Sequence, residues 1–147
     1  MIRLAPDFKE FLRLLNSNDI AYLLIGGYAV GIHGYPRSTL DLDVWVSRTA
    51  ENARRLVSVL TEFGFGETAL NESMLTEQHN VVRMGLPPIR IELLTSISGV
   101  EFDECYPRRI VTEIDGIPVK VIGLQDLKLN KQCSGRLNDL NDLKHLP

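Results

Sequence analysis

The stretch from Leu24 to Val46, LIGGYAVGIHGYPRSTLDLDVWV, constrains the fold more than any other part of the chain. An apolar run leads through a Gly pair into a small-residue segment, and a strictly alternating segment follows. Successive side chains of a β-strand point to opposite faces of a sheet, so the alternation predicts a strand. Its apolar face holds Leu40, Leu42, Val44 and Val46. Its other face carries Asp41, Asp43 and Trp45.

The rest of the chain predicts helices and strands in a mixed order. Apolar residues at helical spacing predict a helix over residues 8–15, and the run 20–26 predicts a short buried strand. Thr49 precedes a second helical pattern that ends at Gly64. Residues 78–85 and 89–96 predict two strands on either side of Pro87-Pro88, and the Asp115-Gly116 pair predicts a hairpin.

The last stretch, residues 123–147, predicts helices with a break near Ser134-Gly135. The order of elements indicates an α/β (α+β) fold in which helices flank a mixed β-sheet. A chain of 147 residues has the length of one domain. We therefore expect a single domain over residues 1–147, with a core over about residues 20–122 and a C-terminal helical part over residues 123–147.

The composition limits which kinds of binding partner and which cellular compartment we expect. The formal net charge is -3, so the chain has no overall basic field that would hold nucleic acid. Its two cysteines, Cys105 and Cys133, form no CxxC pair, which indicates a reducing compartment. The sequence has no signal-peptide pattern and no run of about 18 apolar residues. We expect a cytoplasmic protein that does not span a membrane.

The two aspartates of the alternating strand suggest a metal site. Residues i and i+2 of a strand lie about 6–7 Å apart on one face, and aspartate is unfavourable in strands. Mg²⁺ prefers such hard oxygen ligands and is usually held by one or two carboxylates together with substrate phosphates. The alternative is a solvated strand face with Asp41 and Asp43 in water.

The glycine pair suggests a phosphate site. Backbone N–H groups at a helix start bind phosphate, and glycine allows close approach. An ordinary tight turn at Gly26 and Gly27 is the alternative. A phosphate site beside an acid pair suits metal-assisted nucleotidyl transfer, in which two ions need a third acid. Glu92 is the candidate, and its alternative is a salt bridge with Arg90 or with a base on a neighbouring strand.

These residues resemble a known motif. The stretch from Leu24 to Val46 is similar to the core motif of the polymerase-β-like nucleotidyltransferase superfamily: an apolar residue, Gly-Gly or Gly-Ser, a spacer and Asp-x-Asp. Its form resembles the small bacterial branch, which includes minimal nucleotidyltransferases, toxins of abortive-infection and toxin–antitoxin systems, and aminoglycoside nucleotidyltransferases. The segment KQCSGRLNDLND resembles the closing helical motif of the abortive-infection type. The matching positions there are Lys131, Arg136, Asp139 and Asp142.

The resemblance implies a role for each candidate residue. Gly26 and Gly27 would hold the triphosphate, and Asp41 and Asp43 would bind the metal ions. Glu92 would be a metal ligand and the base for the acceptor hydroxyl. The nucleotide or the acceptor would meet three cations, namely Arg37, Lys131 and Arg136.

Each of these basic residues also has a plainer interpretation. Arg37 suits a solvated loop or a counter-ion to Asp41, and Lys131 suits a charged helix surface. Asp139 and Asp142 suit partners of Arg136 that anchor the helices. Three positions depart from the motif, which puts their roles in question: Gly27 replaces a serine, Glu92 replaces an aspartate, and Asn138 replaces a lysine.

The implied activity is the transfer of a nucleoside monophosphate from an NTP such as ATP to a hydroxyl, with two Mg²⁺ ions. The acceptor is an RNA end, a protein or a small molecule, and the partner is an antitoxin or a second copy of the chain. One alternative is a regulatory or nucleotide-binding domain of the same fold without turnover. Another is a structural unit in which Asp41, Asp43 and Glu92 form only surface contacts and ion pairs.

Overall fold

Six β-strands form one sheet in the computed structural model, which describes residues 2–65, 71–85 and 88–147. The strands are β1 (Tyr22–Ile25), β2 (Asp41–Val46), β3 (Val81–Met84), β4 (Arg90–Leu94), β5 (Ile110–Ile114) and β6 (Ile117–Val121). Their order across the sheet is β3-β4-β2-β1-β6-β5. The β2–β4 and β1–β6 pairs are parallel and the other pairs are antiparallel. The predicted mixed sheet is confirmed.

Seven α-helices accompany the sheet in the described part of the chain. They are α1 (Pro6–Ser17), α2 (Gly26–Ile32), α3 (Ala50–Leu60), α4 (Glu72–Thr76), α5 (Phe102–Cys105), α6 (Leu124–Ser134) and α7 (Leu137–His145). A wider helical turn over Thr61–Phe65 extends α3, and a 3₁₀ turn over Tyr106–Arg108 follows α5. None of these helices is long and apolar enough to cross a membrane.

Strand β2 lies inside the sheet, and its burial follows from the alternation of its sequence. Leu42, Val44 and Val46 are fully buried in the apolar core. Trp45, on the other face, is also only 1% exposed, because the ring of Phe102 packs edge to face against it at 5.1 Å. Leu40 was expected on the apolar face, but it precedes the strand and is 57% exposed.

Helix α3 is tied to the central strands by one buried asparagine. Thr49 caps the helix, since its hydroxyl accepts a hydrogen bond from the backbone N–H of Asn52. The Asn52 side chain donates to the carbonyls of Ala21 and Ser47 at 3.1 and 2.9 Å and accepts from the N–H of Ala21 at 2.8 Å. Because buried polar groups are costly unless they are paired, this asparagine aligns the start of β1 with the end of β2.

The predicted hairpin is present, and so are the two strands predicted on either side of Pro87-Pro88. Asp115 and Gly116 join β5 to β6 with φ angles of 50° and 82°, which are the left-handed values of a tight hairpin turn. Strands β3 and β4 pair in antiparallel fashion. Pro87, expected in the turn between them, lies outside the described residues.

Candidate active site

Strand pairing brings the three predicted carboxylates onto one surface. Asp43 stands beside Ile25 of β1 on one side and beside Glu92 of β4 on the other. Neighbouring strands lie about 4.7–4.9 Å apart, and in-register residues share a face of the sheet. Asp41, two residues earlier in β2, shares that face as well. The sheet order β4-β2-β1 therefore assembles an acidic surface from separate parts of the chain.

A cleft of about 630 Å³ opens over this surface. It is lined by six of the predicted site residues: Gly26, Asp41, Asp43, Glu92, Lys131 and Arg136. Helix α6 and the start of α7 supply the two basic residues, so the cleft has acidic strands on one wall and cationic side chains on another. Arg83, Ser96 and Asn130, which the sequence did not single out, line it too.

Two predicted site residues lie elsewhere. Gly27 and Arg37 line a separate cavity of about 240 Å³. A Cβ atom at Gly27 would lie 2.8 Å from Cβ of Thr39, so this glycine allows α2 to pack against the loop before β2. Arg37 donates two hydrogen bonds, of 2.8 and 2.9 Å, to Asp142. The structure thus gives Arg37 a different carboxylate from the expected Asp41, and a phosphate contact stays a prediction.

Position 26 requires glycine for two reasons, namely its backbone conformation and the close approach of Asp43. Its φ of 69° lies in the left-handed region, and a Cβ atom there would overlap Oδ2 of Asp43. We expect Gly26→Ala to displace the Asp43 carboxylate and to lower the free energy of unfolding by more than the about 1–2 kcal/mol that the left-handed backbone costs. Chemical denaturation measures this loss.

Gly116→Ala is the matched control for Gly26→Ala. Gly116 has a φ of 82°, and a Cβ there would meet nothing within 4 Å. It therefore reports the backbone cost alone, far from the cleft. Equal losses for the two variants would contradict the close approach of Gly26 to Asp43.

The acidic wall carries uncompensated negative charge. The pKa of Asp43 is raised to about 6, mainly by burial and additionally by the neighbouring carboxylates of Glu92 and Asp41. Lys131 and Arg136 lower this pKa without restoring its ordinary value. Because the crowded carboxylates destabilise the ionised form, the site favours a bound proton or another cation.

Glu92 forms one salt bridge within the described residues. Nε of Arg83, opposite Glu92 in the β3–β4 pair, lies 3.2 Å from its Oε1. The cross-strand salt bridge considered from the sequence is therefore present, with Arg83 rather than Arg90. The Arg83 side chain is 64% exposed, so the pair is a weak one that a competing ligand can separate. The sequence held a signal for this salt bridge, because Arg83 lies in the strand that precedes the strand of Glu92 and pairs with it.

Lys131 is not a surface residue. It is 4% exposed, and its Nζ lies 2.9 Å from Oδ1 of Asp139 and 3.0 Å from Oδ2 of Asp142. Arg136 donates from Nε to Oδ2 of Asp139 at 2.9 Å, while its side chain stays 80% exposed. Asp139 therefore pairs with Arg136 as expected, whereas Asp142 pairs with Lys131 and Arg37 instead. Arg136 presents the more accessible cation to the cleft.

The same network predicts an acid-sensitive fold. Burial alone would raise the pKa of Asp139, but hydrogen bonds from Ser134, Lys131 and Arg136 outweigh it, and the net pKa is lowered. Burial would likewise raise the pKa of Asp142, but hydrogen bonds from Arg37 and Lys131 outweigh it, and the net pKa is lowered. A lowered folded-state pKa gives stability that is present above the ordinary aspartate pKa of about 3.9 and is lost as the pH falls through the folded-state value.

We therefore expect the wild type to lose unfolding free energy on acidification below about pH 4 more steeply than Asp139→Asn does. Urea titrations at a series of pH values measure the two slopes. Identical slopes would show that Asp139 has an ordinary pKa in the folded protein.

The donor set suits a hard divalent cation that a substrate completes. Within the described residues, no three His, Cys, Asp or Glu side chains are arranged to hold a metal ion by themselves. Asp41 and Asp43 nevertheless offer carboxylate oxygens on one face. The raised pKa of Asp43 means that its negative charge is unfavourable there unless a cation is bound. Mg²⁺ is commonly held by one or two carboxylates plus phosphate oxygens. The residues therefore fit an ion that binds together with a phosphorylated ligand.

Comparison with protein families identifies the class of this site. A family model described as "Nucleotidyltransferase of unknown function (DUF6036)" matches residues 3–146. The chain belongs to this family. It is an enzyme of the nucleotidyltransferase class, which generally uses divalent metal ions. No curated protein matches the chain by sequence.

Solved structures share the fold of this nucleotidyltransferase at low sequence identity. A candidate nucleotidyltransferase of Thermotoga maritima (TM1012) has a TM-score of 0.65 and 16% identity over 98% of this chain and 93% of its own. ANT(2″)-Ia, in complex with adenylyl-2″-tobramycin, has a TM-score of 0.57 and 12% identity over 93% and 83%. An antigenic nucleotidyltransferase-like protein of Paracoccidioides brasiliensis has a TM-score of 0.54 and 18% identity over 95% and 73%.

Proposed function

We propose that this nucleotidyltransferase moves a nucleoside monophosphate from an NTP to a hydroxyl group with the help of Mg²⁺. The observation that carries the proposal is the meeting of Asp41, Asp43 and Glu92 in one cleft with the exposed guanidinium of Arg136. Carboxylates suit the metal ions, and a guanidinium suits the triphosphate.

The placement of these groups supports the following course for the transfer. Gly26 lines the cleft next to Asp43 and carries no side chain that would stand between the triphosphate and the acidic wall. Arg136 neutralises phosphate oxygens. Glu92 accepts the proton of the acceptor hydroxyl, whose oxygen forms a bond to the α-phosphorus. The bond from the α-phosphorus to the bridging oxygen breaks, and pyrophosphate leaves with its electron pair.

Asp41 and Asp43 are the residues that would hold the metal, with Glu92 as the third ligand when two ions bind. When bound, Mg²⁺ supplies charge neutralisation on the phosphates and on the leaving pyrophosphate. Lys131 acts differently from Arg136, since it is buried between Asp139 and Asp142. Its role is to hold the α6–α7 wall in place.

Calorimetric titration tests the proposal. Each of the four NTPs is added, with and without Mg²⁺, to the wild type and to Asp41→Asn/Asp43→Asn. We expect Mg²⁺-dependent binding of at least one NTP by the wild type and none by the double variant, because the substitution removes the carboxylates that would share the ion with the triphosphate.

The control is Asp7→Asn/Glu10→Gln, which removes the same charge from exposed positions of α1. It should bind Mg²⁺-NTP as the wild type does. The proposal fails if the wild type binds no NTP, or if binding is the same with and without Mg²⁺.

Nucleotide binding without turnover is the second candidate, and one contact favours it. The salt bridge between Arg83 and Glu92 occupies the carboxylate that would act as the base. Mg²⁺-dependent NTP binding with no release of pyrophosphate, in both the wild type and Arg83→Gln, would select this alternative. Pyrophosphate release by either protein would exclude it.

Other parts of the biological role rest on the resemblance alone. They are a toxin–antitoxin or stress function, an antitoxin partner or a homodimer, two Mg²⁺ ions per site, and ATP as the donor. The cytoplasmic location is a separate prediction, which rests on the cysteine content and the sequence patterns described above. The acceptor classes from the sequence were an RNA end, a protein and a small molecule. ANT(2″)-Ia, which shares the fold, was crystallised with an adenylylated small molecule, and this supports the third class.

A further inference from the structure

Strand β5 forms one edge of the sheet, and in the part of the chain that the structure describes its only strand neighbour is β6. Native proteins usually protect such an edge with proline, lysine or a covering segment. The sequence of β5, IVTEI, has neither proline nor lysine. Ile110 and Val111 are 37% and 62% exposed. The edge therefore offers backbone hydrogen-bonding groups and apolar surface to another strand.

The register of the β5–β6 pair shows which residues of β5 direct their backbone groups outward. Opposed residues of an antiparallel pair alternate between those that exchange both backbone hydrogen bonds and those that exchange none. Glu113 lies opposite Pro118, which has no N–H. The N–H of Ile122 donates to Leu24 of β1, so every second residue of β6 faces away from β5. The N–H and C=O groups of Val111 and Glu113 therefore point to the free edge.

Two opposite charges flank Val111 at equal distances along the chain. Arg109 precedes Val111 by two residues and has an extended backbone, with φ of -60° and ψ of 153°, so it continues the line of β5. Glu113 follows Val111 by two residues, and all three side chains share one face. Within the described residues, neither Arg109 nor Glu113 forms a salt bridge.

This edge is complementary to a second copy of itself. When two β5 strands lie antiparallel with Val111 opposite its own copy, Arg109 of each chain lies opposite Glu113 of the other. The outward backbone groups of these residues meet in the same register. Opposite charges that face each other across a strand pair attract, and the two valines bury apolar surface. A contact of the same patch with itself is the usual basis of a two-fold dimer.

We propose that the protein forms a two-fold homodimer through β5, which joins two six-stranded sheets into one continuous sheet. The residues that line the acidic cleft come from other elements than β5 and β6. The dimer therefore leaves the cleft of each subunit open. Because a five-residue strand forms a small interface, we expect a dimer that dissociates on dilution.

Sedimentation-velocity centrifugation of the full chain over a dilution series measures this equilibrium. Val111→Lys places two ammonium groups opposite each other and should raise the dimer Kd by about tenfold or more. Val81→Lys is the matched control, because Val81 is the exposed valine of the opposite edge strand, β3. It should dimerise as the wild type does.

A charge exchange tests the register and separates loss of the interface from loss of the fold. Glu113→Arg places arginine opposite Arg109, and Arg109→Glu places glutamate opposite Glu113, so each variant alone should be monomeric. An equimolar mixture should form a heterodimer, because an arginine then faces a glutamate at both positions. A variant that fails to fold gives no such recovery on mixing.

Disulfide formation tests the same register without changing any charge. Val111→Cys, made in Cys133→Ser to remove the exposed native thiol, places two thiols opposite each other with Cα atoms about 5.5 Å apart. This lies within the range that a disulfide spans, and a mild oxidant should link the chains. Ile110→Cys in the same background should stay unlinked, because its copies are offset by two residues.

Three results would each overturn the proposal: a wild type that stays monomeric at every concentration, a dimer that Val111→Lys leaves unchanged, or equal linking of Val111→Cys and Ile110→Cys. A folded variant pair that stays monomeric on mixing would also contradict it. None of these measurements involves a nucleotide, so their outcome is independent of the proposed transfer reaction.

Discussion

Asp43→Asn is expected to abolish nucleotidyl transfer and, at the same time, to raise the melting temperature of the metal-free protein at pH 8. The carboxylate is largely buried beside Glu92 and Asp41, and its pKa is raised to about 6. Asparagine keeps the shape of the side chain and removes both the metal ligand and the like-charge repulsion. The function of the site therefore has a cost in stability that the variant relieves.

The sign and size of this effect follow from the pKa. A carboxyl with a raised folded-state pKa stabilises the fold only while it is protonated, and this contribution is lost as the pH rises from about 4 to about 6. A shift of this size corresponds to roughly 2–3 kcal/mol. The gain from Asp43→Asn should thus be largest at pH 7–8 and should vanish near pH 4.

Thermal unfolding of the metal-free wild type and of Asp43→Asn at pH 4 and pH 8 measures the gain. Asp7→Asn, on the exposed start of α1, is the control and should change little at either pH. Mg²⁺ together with an NTP should stabilise only the proteins that retain Asp43, because a ligand stabilises the state that binds it. A lower melting temperature for Asp43→Asn at pH 8 would contradict the picture of an uncompensated charge.

Asp142→Ala is expected to lower the free energy of unfolding by about 3–5 kcal/mol, the usual cost of breaking a buried ion pair. Asp142 is 1% exposed, accepts two hydrogen bonds from Arg37 and lies 3.0 Å from Nζ of Lys131. Its removal leaves Lys131 with Asp139 alone and frees the loop before β2. Urea denaturation at pH 7 measures the loss.

The matched control is an exposed ion pair. Glu51 and Arg55, one turn apart on α3, are 62% and 42% exposed, and their closest atoms are 2.6 Å apart. Glu51→Ala should cost no more than about 0.5 kcal/mol. If Asp142→Ala costs no more than this control, the buried network does not hold α7 against the loop before β2.

Much of the fold could be predicted because its signals are local. Period-two alternation identified β2, Thr49 identified the start of α3, and Asp115-Gly116 identified the hairpin. Two short helices, α4 and α5, were missed because five and four residues are too few to show a helical period. Burial of Trp45 was missed for a different reason, since Phe102 is distant in sequence and no local pattern signals their contact.

The candidate site divides in the same way. The sequence by itself determined that Asp41 and Asp43 share one face and that Gly26 stands at the turn into α2, because strand periodicity and glycine geometry are properties of neighbouring residues. Only the tertiary structure decided which residues meet them. The strand order places Glu92 beside Asp43. The packing of α6 against α7 buries Lys131 between two aspartates, and Arg37 forms its salt bridge with Asp142. Such pairings depend on contacts between distant segments, and these form only when the chain packs.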